Sequence, residues 1–302
     1  MTIQVTRWQS VKLLMLKRWQ LKRWQIKGVI LGALLLTLTA CTAKMVYRNL
    51  DWVVLEYVED YVTLTGIQEE ILDQRLQQLA LWHKTEELPH YQAQLQTLYD
   101  AELSAVDVAF LQQQQEVFRA HIRRLSNKAT PDVYSLSRSL SKGQIDEFIE
   151  NLTLKHEMFT KKFASKSDQQ AKRYYQERIE KNLHRWLGSV SDEQQVIVET
   201  WVNNIERSHK EWVLYRITMR DRIHTMFARR DDPFFYQKEL TFLVNEPEQV
   251  YPERLTLKLE RNRQLANQSI VSILGTVSDA QKRHFREEIK EWLELVKELQ
   301  IE

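Results

Sequence analysis

The 302-residue sequence holds one cysteine, six glycines and five prolines. A lone thiol closes no disulfide within the chain and builds no thiolate metal cluster, so the fold must stand on packing. Scarce glycine leaves no phosphate-cradling loop, and neither a Gly-x-Ser-x-Gly elbow nor a His-Glu-x-x-His pair occurs. Few breakers and abundant Leu, Gln, Glu, Lys and Arg favour long helices. Strand alternation is absent throughout, and no Ser/Gly-rich or Pro-rich linker interrupts the chain.

Acidic residues are missing from positions 1–40, which carry seven basic ones. An uncharged run follows them, 16 residues from Gly28 to Ala43. A membrane-spanning helix needs about 20 apolar residues, so the pattern reads as a secretory signal rather than a span. Its end, Leu38-Thr39-Ala40-Cys41, resembles the lipobox of bacterial lipoproteins. That resemblance implies cleavage before Cys41, diacylation of its thiol and acylation of the new amino group. Two or more acyl chains, at about 0.8 kcal/mol per buried methylene, anchor a protein stably. Thr42 stands where an Asp would favour inner-membrane retention. The resemblance therefore implies the periplasmic face of the outer membrane in a Gram-negative cell. Arg-Trp-Gln recurs at 7–9, 18–20 and 23–25, and Met15 offers an alternative start that gives a 26-residue leader.

The expected division is a signal peptide over 1–40 and a single elongated helical domain over 41–302. Setting the leader aside leaves 36 basic against 41 acidic residues, so a nucleic-acid partner has no electrostatic basis. Only about three residues separate Cys41 from the first helical face, a tether of roughly 10 Å. The body is thus expected to sit against the membrane.

Leu64-Thr65-x-x-Gln68, Leu140-Ser141-x-x-Gln144, Val190-Ser191-x-x-Gln194 and Val277-Ser278-x-x-Gln281 share one pattern. Each reads as a capping box, in which the hydroxyl takes the N3 amide and the glutamine reaches back to the N-cap amide. Residues 103–107 form a weaker fifth version. Spacings of 76, 50 and 87 residues exclude a regular solenoid. The first box resembles the Leu-Thr-x-x-Gln motif of Spy- and CpxP-like periplasmic chaperones. Between boxes, apolar residues fall at helical spacing. Val46 to Tyr61 make one helical face, and the stretch from Ser191 to about Arg230 predicts one unbroken helix, near 60 Å at about 1.5 Å per residue. The fold expected is all-α, an elongated bundle of long, mostly antiparallel helices without a sheet.

Val46-Tyr-Arg-Asn-Leu-Asp-Trp52, Tyr57-Val-Glu-Asp-Tyr-Val62, Trp82-His83 and Glu87-Leu-Pro-His-Tyr91 resemble the DUF6279 type of uncharacterised proteobacterial lipoprotein. That resemblance implies an address and no activity.

Candidate chemistry is sparse. His83, Glu87 and His90 share one helical face at i, i+4 and i+7, but Pro89 disturbs that helix and weighs against a metal site. No cofactor is expected. Arg216, Arg220, Arg222, Arg229 and Arg230 form either a patch for anionic ligands or a solvated face paired with Asp221, Asp231 and Asp232. Tyr47, Trp52, Tyr57 and Tyr61 read as an interfacial belt or as core. Trp82, Trp186, Trp201, Trp212 and Trp292 read as core. The acid pairs Glu69-Glu70, Glu86-Glu87 and Glu287-Glu288 read as solvated, since adjacent helical residues do not face each other. The resulting expectation is a non-enzymatic, lipid-anchored protein that binds a protein partner in the envelope. A chaperone-like client binder and an envelope-polymer hydrolase are the alternatives.

Overall fold

A computed structural model describes residues 40–164 and 166–301. Every regular element in them is helical, so the protein is all-α as the composition predicts. The chain divides into two compact units, residues 1–47 and 48–302. In the first unit the described part begins helix α1 (Ala40–Arg48). Leu38 and Thr39 of the expected lipobox lie outside the described residues, as do residues 1–37 of the expected signal peptide. No described helix is long and apolar enough to cross a membrane.

In the second unit, α2 (Leu50–Glu59) follows a break at Asn49, where the sequence predicted one continuous face from Val46 to Tyr61. Helix α3 (Gly66–Trp82) runs through a π-helical turn, His83–Glu87, into α4 (Leu88–Asp100). The wider turn accommodates Pro89, which sits in the first turn of α4 where no intrahelical N–H bond is lost. A 3-10 turn, Leu103–Ala105, precedes α5 (Val108–Ser139). The weak fifth box does not form. Asp107 caps α5 instead, its Oδ1 accepting from the Phe110 amide at 2.7 Å. Helix α5 carries Pro131 in its interior, where Thr130 Oγ1 donates to the Ser126 carbonyl at 2.7 Å.

Leu140 and Ser141 form a corner into α6 (Lys142–Ala164), and α7 (Asp168–Leu187) follows with a cap not anticipated, Ser167 with Gln170. Gly188 ends α7 at φ 74°, where a Cβ would also stand 3.1 Å from the His284 ring.

The forty-residue helix expected from Ser191 to Arg230 is two helices, α8 (Asp192–Asn204) and α9 (His209–Ala228). The break is held by α11 (Glu253–Gly275). Asn262 Oδ1 accepts from the Glu206 amide at 2.9 Å, and its Nδ2 donates to the Glu206 carbonyl at 2.8 Å. Lys258 Nζ donates to the Arg207 carbonyl at 2.8 Å. These contacts satisfy the backbone groups that an unbroken helix would have paired internally. Helices α10 (Pro233–Asn245) and α12 (Asp279–Ile301) complete the unit.

Two apolar cores result. One gathers Val62, Leu64, Leu140, Phe227, Tyr236 and Leu240, with α9 against α6 and α10 against α5. The other gathers Leu103, Leu187, Val198, Val202 and Ile273 beneath α7, α8 and α11.

Candidate functional site

The four predicted capping boxes all form, and they interlock in pairs. Gln68 Oε1 accepts from the Thr65 amide at 2.9 Å, while Gln144 Oε1 accepts from the Ser141 amide at 2.9 Å. Each glutamine then has two amide hydrogens left. Gln144 Nε2 donates to Gln68 Oε1 at 2.7 Å and to the Thr63 carbonyl at 2.9 Å. Gln68 Nε2 donates to Gln144 Oε1 at 3.3 Å and to the Ser139 carbonyl at 3.1 Å. The starts of α3 and α6 are thereby bolted together.

The starts of α8 and α12 repeat the device. Gln194 and Gln281, both buried, exchange amide bonds of 3.2 and 2.8 Å, and Gln281 also holds the Ser189 carbonyl at 2.9 Å. A glutamate would cap equally well but has no hydrogen to donate across the pair. That explains why glutamine, never glutamate, stands at all four positions. At the unanticipated box, Ser167 with Gln170, the glutamine is exposed and only caps.

Beside the first pair lies a groove of about 730 Å³ lined by α2, α3, α5, α9 and α10. Leu64 and Leu140, the residues that precede the two boxes, stand in its wall. The lining is aliphatic except for a few polar groups, and its one carboxylate, Asp132, is paired with Arg75 at 3.6 Å. Ile122 and Val133, on the α5 rim, are 51% and 41% exposed. Apolar side chains left this open on a groove wall are an unmet demand for burial, worth about 25 cal/mol per Å² covered. A second groove of about 370 Å³ lies between α7, α11 and α12, with Leu187, Trp186, Trp201 and Phe285 in its lining.

The polar interior centres on the π-helical turn. Glu87, expected on a solvated face, is fully buried. The extra residue of the turn rotates it inward, where Arg124 Nε and Nη2 grip its two oxygens, the latter at 3.1 Å. Arg124 Nη2 also donates to His121 Nδ1 at 2.7 Å, which leaves His121 Nε2 as the donor to Gln94 Oε1 at 3.0 Å. Gln94 passes the chain on to the Gln114 carbonyl at 3.0 Å. Burial pushes the Glu87 carboxyl up, but the bonds from Arg124 and its positive charge outweigh it and hold it below its ordinary value. Burial and Arg124 hold His121 below the ordinary histidine value against the pull of Glu87. His90 is exposed, so His83, Glu87 and His90 do not converge. Among the described residues no three His, Cys, Asp or Glu side chains are grouped to hold a metal ion.

The five arginines have different partners. Arg222 makes a fork with Glu239 at 2.6 and 3.0 Å. Arg229 pairs with Asp232 at 3.0 Å and covers Phe235, while Arg230 Nη1 donates to the Leu140 carbonyl at 2.8 Å. Arg216 stacks on Phe159 with its Cζ 4.1 Å from the ring centroid. Arg220 has no ion pair to a described residue. Of the aromatics expected in an interfacial belt or core, Trp52 and Tyr57 are exposed, whereas Tyr61 is half-buried under Lys155. The five tryptophans read as core are all half-buried, and Trp186 and Trp201 line the smaller groove.

Fold and grooves define a helical protein with aliphatic recesses and no assembled acid pair in their linings. Residues 60–256 match the family of unknown function DUF6279, and the chain belongs to that family. No curated protein and no solved structure matches the chain.

Proposed function

We propose that the protein is an acylated lipoprotein, anchored through Cys41 to the periplasmic face of the outer membrane, that binds protein partners without enzymatic turnover. The larger groove carries the reading. Its aliphatic walls and exposed rim suit the apolar face of a partner helix, which would bring Ile122 and Val133 out of water. The leader supports the address, through its basic block, short apolar run and lipobox-like end. A hydrolase finds little support in this groove, because Asp132 is neutralised by Arg75 and no second carboxylate stands beside it.

A second reading, a chaperone-like client binder, is favoured by one observation. The Leu-Thr-x-x-Gln-like boxes occur as two interlocked pairs, and two apolar grooves accompany them. Two recesses on one chain suit a flexible client that offers several apolar segments.

The experiment is fractionation combined with crosslinking in intact cells. Wild type is expected to remain with membranes after carbonate washing and Cys41→Ser to be released. Ile122→Asp is expected to remain anchored but lose protein crosslinks. A Cys41→Ser protein that stays fully membrane-bound contradicts the anchor, and undiminished crosslinking by Ile122→Asp contradicts the groove.

A further inference from the structure

Arg216 is a cation without a counterion. Its guanidinium is more than half withdrawn from water, and its Nε is buried with no partner. Phe159 covers one face of the guanidinium plane, which orients the N–H groups but accepts no in-plane hydrogen bond. Across the α6–α9 contact, His156 repeats the situation, with Nδ1 buried and unpartnered. One turn along α9 from Arg216 stands Arg220, which makes no ion pair to a described residue and bears electrostatically on His156 together with Arg216. The nearby carboxylate, Asp60, is taken by Lys155 at 2.9 Å. Asp221 follows Arg220 directly, so it points to another face of the helix and is exposed.

The remaining polar groups around Arg216 are phenols. Tyr61, Tyr215 and Tyr57 all bear on its charge, and the Tyr57 and Tyr61 hydroxyls lie 3.4 Å apart. The locus thus offers donors and positive charge, with phenol oxygens as its acceptors and no carboxylate paired to Arg216 or Arg220 among the described residues. A guanidinium half-removed from water is costly without an anion. The chemistry that satisfies several donors and two positive charges at once is a tetrahedral oxyanion.

We propose that Arg216, Arg220 and His156 form a binding site for a phosphate group, carried by an anionic phospholipid headgroup or present as free phosphate, with the Tyr57 and Tyr61 hydroxyls at its edge. This site is independent of the aliphatic grooves and does not rest on the protein-binding reading. Burial, Arg216 and Arg220 hold His156 far down, at about 4. A bound phosphate opposes the two arginines and favours the imidazolium, so occupancy is readable at the imidazole itself.

The test follows the His156 ring resonance by NMR, assigned with His156→Gln, in the full chain. One titration uses inorganic phosphate and another uses dihexanoyl-phosphatidylglycerol below its micelle concentration. A saturable shift with a rise in the His156 midpoint is expected, and Arg216→Gln is expected to weaken binding about tenfold. Arg123→Gln, an exposed arginine of α5, is expected to bind as wild type does. Tighter binding of the lipid identifies a headgroup, and equal binding identifies free phosphate. Should Arg216→Gln fail to fold, Arg216→Lys keeps the charge without the fork and still weakens binding. No saturable shift with either probe, or full affinity in the Arg216 variants, overturns the proposal.

Discussion

A glutamine side chain holds one acceptor and two donors on a single flat group, and Gln68, Gln144 and Gln281 use all three. Capping consumes the oxygen of Gln281, and the amide hydrogens then reach Gln194 and Ser189. Gln281→Glu keeps the cap, removes those donors and sets a carboxylate against the Gln194 oxygen. It is expected to cost about 2–3 kcal/mol in urea unfolding. Gln170→Glu, at the box without a cross partner, is expected to stay within about 0.5 kcal/mol. Equal effects at the two positions would refute the interlock. The boxes themselves were legible, because hydroxyl and glutamine lie three residues apart. Their pairing was not, because the partners are 76 and 87 residues apart and nothing local names them. The uniform choice of Gln over Glu was the available signal.

Histidine chemistry belongs to the same scale. His83, His121, His156 and His209 are all held below the ordinary value of 6.5, with burial the first cause in each. They are neutral in the fold and take protons more readily once unfolded. Stability is therefore expected to fall as pH drops below about 6.5, down to about 4, where His156 itself titrates. Glu87 and Glu211, depressed in the fold, add a further loss as they protonate below the ordinary carboxylate value of 4.5. Thermal melts from pH 7.5 to 4 check the sign, and a melting temperature that rises on acidification contradicts it. His156→Gln is expected to flatten the slope.

At the scale of elements, tertiary contacts overrule local propensity. Residues 191–230 contain no proline or glycine, and periodicity alone predicts one helix. The break at 205–208 exists because Asn262 supplies both a donor and an acceptor to Glu206, and Lys258 caps Arg207. Asn262→Ala strands two backbone groups and is expected to cost about 2 kcal/mol. Hydrogen exchange should show lost protection at the Glu206 amide, and unchanged protection there would sink this account of the break. The reverse case is Glu87. Its position beside Glu86 reads as solvated, and only the π-helical turn, invisible to a 3.6-residue period, turns it inward. Helix starts were legible at Thr65, Ser141, Ser191 and Ser278, where a hydroxyl and a glutamine cap their own helix, and were missed at Ser167. Interruptions imposed from another helix were not legible.

For the whole molecule, the sequence correctly implied an all-α body, because breakers are few and apolar residues recur at helical spacing. It could not separate apolar residues that fill a core from those that wall a groove, since both fall on the same stripe. Leu125 and Ile122, three residues apart on α5, fall on one side of a helix by spacing alone, yet Ile122 opens to solvent on the groove rim. Ile122→Asp and Val133→Asp are expected to change stability little, within about 1 kcal/mol, since exposed positions tolerate charge. Leu240→Ala, in the buried floor, is expected to cost about 2–5 kcal/mol. That contrast separates binding surface from core without knowledge of the partner.

Protein binding through the larger groove is tested most directly by a photo-activated crosslinker placed at Ile122 or Val133 of the full chain in living cells, with Glu193 on the exposed start of α8 as the off-groove position. Crosslinks to discrete proteins from both rim positions, and none from Glu193, are the predicted result. Rim positions that capture no protein, or no more than Glu193 does, would contradict it.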